Sequence, residues 1–88
     1  MRTYWMAFCN DGVPLFDIER ETRAEAIEDL KRAYRFDYGE AGEAANYNDY
    51  YIEKYTETGD TVYVQDMQFF KMTMGKRGGV KAEHTRAI

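Results

Sequence analysis

The chain contains few of the residues on which common metal sites and nucleophilic sites depend. Its 88 residues include one cysteine, Cys9, one histidine, His84, and one proline, Pro14. Structural zinc sites need several clustered Cys and His ligands, and a nucleophilic site needs a base beside the nucleophile. One Cys and one His exclude the usual structural zinc site and give no support to Cys/His catalysis. We interpret Cys9 as a small buried hydrophobe and His84 as a solvated residue.

Disulfides and long apolar runs are also missing from the sequence. A single cysteine excludes an intrachain disulfide, which is typical of a reducing compartment. No stretch approaches the ~20 consecutive apolar residues that span a membrane. Residues 1–10 are too short and too aromatic for a secretory signal. The sequence therefore predicts a cytoplasmic protein.

The sequence gives little support for the other kinds of catalytic or ligand-binding site. Asp37, Glu40 and Glu43 are close enough in sequence to gather around a hard cation, but they lack the ligand number of an EF-hand. We interpret them as a solvated acidic loop. The glycines of residues 75–79 precede no helix, so they do not form a phosphate-binding loop. Carboxylate acid–base chemistry stays open on composition alone. We expect a non-enzymatic protein with no metal and no cofactor.

The first half of the chain predicts a hairpin followed by a helix. Residues 3–9 are apolar on both faces, which is typical of a buried strand. A tight turn follows at residues 10–12. Residues 15–20 then alternate as a half-buried strand, with Pro14 at its start or at an edge. The pattern of Thr22 to Glu25 is a capping box, and an apolar stripe continues as a helix to about Phe36.

The second half predicts another hairpin. Residues 37–49 fit either a loop or a frayed helical turn. Residues 50–56 and 61–74 favour strand, with a bend or bulge near Met67. The predicted fold is α+β, an antiparallel sheet of four strands, or five with a short extra one, with one helix across a face and the order β-β-α-β-β.

Charge divides the chain into two parts. Residues 76–88 hold four basic side chains and one acidic, a net charge of +3, whereas residues 1–75 carry −7. We predict a single α+β domain over residues 1–75 and a flexible basic tail over residues 76–88. The tail offers one candidate site, because its cations can contact phosphates. These candidate nucleic-acid-binding residues are Lys76, Arg77, Lys81 and Arg86.

Residues 37–60 form an acidic tyrosine segment. It holds seven acidic residues, one base, Lys54, and five tyrosines, for a net charge of −6. Strand alternation in residues 50–56 points Ile52 to the core and its neighbours on either side outward. Tyrosine is enriched at binding hot spots, and carboxylates steer encounter with a basic partner. The candidate protein-binding residues are Tyr47, Asp49, Tyr51, Glu53, Tyr55, Glu57 and Asp60.

Two other interpretations of the surface stay open. The carboxylates can serve solubility while the tyrosines cover a small core. The aromatic strand at residues 3–9 can also pair at a sheet edge, which would make the chain a homo-oligomeric structural or interaction protein. Nucleic-acid binding by the basic tail is a further alternative, in which the partner is DNA or RNA rather than a protein.

In general character the chain resembles the small accessory proteins of phages and mobile elements. The resemblance rests on its size, its acidic body, and a hairpin that leads into the T-R-A-E-A helix start at residues 22–26. Such proteins include anti-CRISPR-like and anti-restriction-like inhibitors and inhibitors of host polymerase. The resemblance implies a protein-binding inhibitor that docks on a basic, nucleic-acid-handling host protein, in the host cytoplasm if the chain is phage-encoded. It carries over no functional residue.

Overall fold

The computed structural model describes residues 1–87, so that Ile88, the last residue of the predicted tail, lies outside the described part. The chain forms a five-stranded antiparallel sheet in the spatial order β2-β1-β3-β4-β5, with one long helix on one face. The strands are β1 Arg2–Cys9, β2 Val13–Pro14, β3 Tyr50–Thr58, β4 Thr61–Met74 and β5 Val80–Ala87; helix α1 is Arg23–Ala41, and a 3₁₀ helix spans Gly42–Tyr47. The predicted α+β class is confirmed. The order of elements along the chain differs from the predicted β-β-α-β-β, because a further strand, β5, follows β4.

Helix α1 begins where the capping box predicted. The Thr22 hydroxyl oxygen accepts a hydrogen bond from the Glu25 backbone N–H at 3.2 Å and donates to the Glu25 carboxylate at 2.9 Å. The helix passes the predicted end at Phe36 and stops before Gly42, whose φ is 60°. Residues 37–47 are therefore helical, first in α1 and then in the 3₁₀ helix.

Removal of this cap gives a moderate, testable loss of stability. We expect Thr22→Ala to lower the free energy of unfolding by about 1 kcal/mol, because the Glu25 N–H loses its acceptor. Thr22→Ser keeps the hydroxyl and is expected to stay within a few tenths of a kcal/mol of the native chain. Urea denaturation followed by circular dichroism measures both variants. Equal midpoints for the alanine and serine variants would contradict the role of the cap.

Residues 15–20 do not form the predicted strand. Strand β2 is limited to Val13–Pro14, at the edge of the sheet. The backbone then turns, because Phe16 and Asp17 have φ values of 59° and 49°, which are incompatible with an extended strand. Only Arg20 returns to the sheet, where it exchanges two backbone hydrogen bonds of 2.7 Å with Trp5.

The predicted flexible tail is largely a strand. Residues 80–87 pair with β4 along its last seven residues, from Met74 opposite Val80 to Gln68 opposite Ala87. The glycines that suggested flexibility are concentrated in the β4–β5 turn, where Gly78 has a φ of 81°. Beyond this turn Val80 and Ala82 pack against the core, which composition alone did not reveal.

Strand β1 is an inner strand. It pairs with β3 along its whole length, and β2 together with Arg20 borders its other side. The hypothesis that residues 3–9 pair with a second chain at a sheet edge is therefore wrong for this fold, because both sides of β1 already have neighbours. The predicted irregularity near Met67 is a register shift, since Lys54 pairs with Asp66 and Tyr55 with Val64.

The main core lies between α1 and the sheet. Leu30 and Tyr34 of the helix are fully buried against Ala7 of β1, Ile52 of β3 and the nearby Phe70 of β4. Three other buried hydrophobic residues do not belong to this cluster. They are Tyr4, Phe8 and Tyr51. Since side chains alternate along a strand, these three lie on the opposite face of the sheet.

Candidate protein-binding face

Aromatic rings cross the sheet on the face opposite α1. Tyr4 stacks on Tyr55 with ring centroids 5.3 Å apart, Phe8 stacks on Tyr51 at 5.4 Å, and Tyr51 stacks on Phe69 at 4.9 Å. Phe8 also lies 6.4 Å from Tyr55. These five residues define the aromatic face. Strands β1, β3 and β4 supply them, so the sheet register holds the rings in one continuous row.

The tyrosines of this face are packed side by side rather than projecting singly. Ile52 faces α1, and Tyr51, Glu53 and Tyr55 lie on the opposite face, as the alternation predicted. However, Tyr51 is only 5% exposed and Tyr55 is half-buried. Rings from the neighbouring strands cover the sides of both tyrosines.

Each end of the aromatic row holds a guanidinium group. The Arg2 guanidinium lies 4.6 Å from the centroid of the Tyr4 ring and forms ion pairs with Glu19 and Glu57. At the other end, the Arg86 guanidinium lies 4.3 Å from the centroid of the Phe69 ring. The face therefore binds cations of its own chain through its ring surfaces.

Glu53 lies near the middle of the row. It is 9% exposed, and its direct cross-strand neighbours are Met6 and Met67. The Tyr55 hydroxyl donates a hydrogen bond to Glu53 Oε2. Burial, followed by this hydrogen bond to a carboxylate, raises the pKa of Tyr55 well above its ordinary value. The phenol therefore stays protonated and keeps donating at physiological pH.

The Tyr51 hydroxyl lies beside Gly12 of the β1–β2 turn. Burial raises the pKa of Tyr51, and the nearby negative charges of Glu53, Asp11 and Asp49 raise it further. Asp11 belongs to the β1–β2 turn, which is joined to the start of β3 because the Asn10 N–H donates to the Asp49 carbonyl at 3.0 Å. Asp11 was not predicted from the sequence. Its place follows from the pairing of β1 with β3.

The other predicted binding residues are spread along the sheet. Tyr47 is 89% exposed at the end of the 3₁₀ helix, just before β3. Asp60 is exposed in the β3–β4 turn, and Glu57 is half-buried beside Arg2. The nine residues of β3 extend roughly 30 Å. Tyr47 and Asp60 therefore lie at opposite ends of the aromatic face and do not form one cluster.

The predicted nucleic-acid-binding residues do not form one patch either. Lys76 and Arg77 are exposed in the β4–β5 turn. Lys81 is exposed on β5, opposite Thr73. Arg86 lies near the other end of β5, on the Phe69 ring. The strand therefore distributes charges that the sequence pattern had placed in one flexible tail.

A cleft of about 320 Å³ lies beside β4 where its pairing with β3 ends. Its lining residues are Asn46, Asn48, Asp49, Tyr50, Phe69, Phe70, Lys71, Met72, Thr73, Thr85 and Arg86. The Tyr50 hydroxyl is already engaged, because it donates to Asp37 and accepts from Asn48 at 3.4 Å. Burial raises the pKa of Tyr50, so this phenol serves the local packing rather than proton transfer.

Cys9 is buried and its thiol has a raised pKa. Burial, and then the nearby Asp37 carboxylate, raises the pKa of the Cys9 thiol, which disfavours the nucleophilic thiolate. Within residues 1–87, no group of three or more His, Cys, Asp or Glu side chains is placed to hold a metal ion. His84 is exposed on β5, with its ring 5.5 Å from that of Phe70.

Comparisons with known proteins give no family for the chain. No family model, curated protein or solved structure matches it. Among the residues that the structure describes, no helix has the length and apolar character needed to cross a membrane. The function is therefore inferred from the residues of the chain's own surface.

Proposed function

We propose that the chain is a non-enzymatic protein-binding module that docks the aromatic face on a basic, nucleic-acid-handling protein and inhibits it. A CRISPR, restriction or polymerase component has the required chemistry. The observation that carries the proposal is the row of aromatic rings across β1, β3 and β4, bordered by carboxylates. Within residues 1–87 the helix α1 packs on the other face of the sheet.

An aromatic outer face is unusual for an antiparallel sheet that has a helix on only one side. The outer face of such a sheet is commonly polar, with apolar residues confined to the core side. Here Phe8, Tyr51 and Phe69 occupy that outer face. Tyr55 and Phe69 of this face are partly exposed, and aromatic side chains are enriched at binding hot spots. The composition of the face therefore favours recognition over simple solvation.

Charge selects the kind of partner. Asp11 and Asp49 lie near the aromatic row, and Glu53 lies within it. Carboxylates in this position attract a basic protein surface and repel phosphates. Surfaces that handle nucleic acid are basic, so occupation by an acidic protein would exclude the nucleic acid. Inhibition by competition is the simplest mechanism for this arrangement.

Charge reversal at the border of the face tests the proposal. We expect Asp49→Lys to weaken binding of the captured partner at least about tenfold, because an attractive charge becomes a repulsive one. The matched control is Glu40→Lys, the same change at an exposed position of α1, on the other side of the sheet. Affinity capture from the source cells identifies the partner, and titration of the purified pair measures the dissociation constant.

Two results would contradict the proposed function. One is equal affinity of the partner for the native chain and for a folded Asp49→Lys variant. The other is retention of DNA or RNA with no protein partner, which would favour the dispersed cations of the β4–β5 region. A partner that still binds nucleic acid when saturated with the chain would remove inhibition but leave protein binding in place.

A further inference from the structure

The fold buries the Glu53 carboxylate without giving it a cation. Glu53 is 9% exposed, and none of the ion pairs within residues 1–87 includes it. Oε2 accepts the Tyr55 hydroxyl, whereas Oε1 reaches solvent, because no side-chain oxygen of the described residues is both fully buried and without a hydrogen bond. Buried carboxylates are usually paired. Glu53 is thus a buried acceptor whose second oxygen keeps some contact with solvent.

The surroundings of this carboxylate are flat and apolar. Met6 and Met67 flank it across the strands, and Tyr51 and Tyr55 flank it along β3. A guanidinium is planar and weakly hydrated, so it can pack on methionine side chains and ring edges while donating hydrogen bonds to a carboxylate. An ammonium group is compact and strongly hydrated, and it loses more hydration here. The chemistry of the site therefore favours arginine over lysine.

The same face already binds guanidinium groups at both ends. Arg2 lies over the Tyr4 ring beside Glu57, which combines a ring with a carboxylate. Arg86 lies over the Phe69 ring. The centre of the row repeats the combination of ring and carboxylate, with Tyr55 and Glu53, and no arginine of the described residues lies over the Tyr55 ring.

We propose that the centre of the aromatic face is a guanidinium site, in which the Glu53 carboxylate pairs with an arginine side chain of the partner while the half-buried Tyr55, Met6 and Met67 contact the rest of the guanidinium group. This inference rests on the proposed function and makes its chemistry specific. The partner's basic surface would present an arginine, rather than a lysine, at the centre of the interface.

The site is tested with two peptides that differ only in the cation. One is a nonapeptide with arginine at three positions, and the other has lysine at the same positions. Methyl NMR of the full chain reports binding through the Met6 and Met67 methyl groups, which flank Glu53. We expect the arginine peptide to shift both resonances and to bind about fivefold more tightly than the lysine peptide.

Variants that neutralise one carboxylate distinguish binding at this site from general attraction of a basic peptide by the acidic chain. Glu53→Gln keeps the size of the side chain and an acceptor for Tyr55, and we expect it to remove the preference for arginine. Glu40→Gln, the matched loss of one charge on α1, is expected to leave the preference unchanged. The comparison of the two peptides on the native chain needs no variant, so the test holds even if Glu53→Gln fails to fold.

The outcomes distinguish this inference from the proposed function. Equal affinity for the two peptides, or binding that leaves the Met6 and Met67 methyl resonances unmoved, overturns the guanidinium site while leaving the acidic face as a general docking surface. Absence of binding by both peptides up to millimolar concentration also overturns the guanidinium site. The proposed function is judged separately, by the loss of partner affinity in Asp49→Lys.

Discussion

Asp29→Ala is expected to lower the free energy of unfolding by about 3 kcal/mol, because it removes three hydrogen bonds between a buried carboxylate and two arginines. Asp29 is 1% exposed. It accepts two hydrogen bonds from Arg20, at 2.8 and 2.9 Å, and one from Arg32, at 2.7 Å. Arg20 in turn pairs with Trp5 through its backbone, so the carboxylate joins α1 to the edge of the sheet.

The neighbouring residue supplies the control. Glu28→Ala removes a carboxylate one position earlier on α1, where the side chain is 67% exposed and lies 3.4 Å from Lys31. We expect a change within about 0.5 kcal/mol, as for other exposed ion pairs. Urea denaturation of both variants measures the difference. Similar losses for Glu28→Ala and Asp29→Ala would show that the buried network has no special role.

Asp29 also makes stability depend on pH in a defined direction. Burial by itself raises the pKa of the Asp29 carboxyl, but the hydrogen bonds and charges of Arg20 and Arg32 outweigh burial and hold it below its ordinary value of 3.8. A carboxyl with a lowered pKa stabilises the fold above its unfolded pKa and loses that contribution as pH falls through its folded pKa. We expect stability to fall below about pH 4, and to fall less steeply in Asp29→Ala.

Deletion of residues 76–88 is expected to abolish the cooperative unfolding transition. The deletion removes β5, which pairs with β4 along seven residues and covers Phe70 and Met72 from one side. A sheet that loses a strand over its core exposes apolar surface and leaves β4 without its outer neighbour. Thermal unfolding followed by circular dichroism, together with the dispersion of amide NMR signals, measures the result.

A variant in which three basic side chains are replaced by neutral ones distinguishes the effect of the strand from the effect of its charges. Lys76→Gln with Arg77→Gln and Lys81→Gln keeps β5 and removes three exposed cations. We expect this variant to unfold cooperatively with a midpoint close to that of the native chain. A truncated chain that still unfolds in one sharp transition would show that residues 76–88 are the dispensable tail that their composition predicted.

Elements fixed by neighbouring residues were predicted well. The start of α1 follows from Thr22 and Glu25, which are three positions apart; the Thr22 hydroxyl accepts from the Glu25 N–H, as in a capping box. The predicted helix and hairpins around a single core led to the α+β class. The strand at residues 15–20 failed because the positive φ values of Phe16 and Asp17 depend on the path of the chain toward α1. Alternation of apolar and polar side chains does not reveal such a turn.

Only part of the candidate site could be predicted from the sequence. The contribution of β3 followed from alternation around Ile52, but the rings that complete the face come from distant positions. Tyr4 and Phe8 meet β3 only through the register that places Tyr4 opposite Tyr55. Register between strands some fifty residues apart is set by the whole sheet rather than by local pattern. The burial of Tyr51 could not be predicted for the same reason.

The pairing of β1 with β3 has a consequence for the order of folding. Trp5 pairs with Lys54, so the middle of the sheet closes a loop that contains the whole of α1. By contrast, β3, β4 and β5 follow one another through short turns. Local contacts cost less chain entropy to form. We therefore expect the three C-terminal strands to assemble first. During synthesis the aromatic β1 leaves the ribosome before β3 and must wait for β3 to form their long pairing.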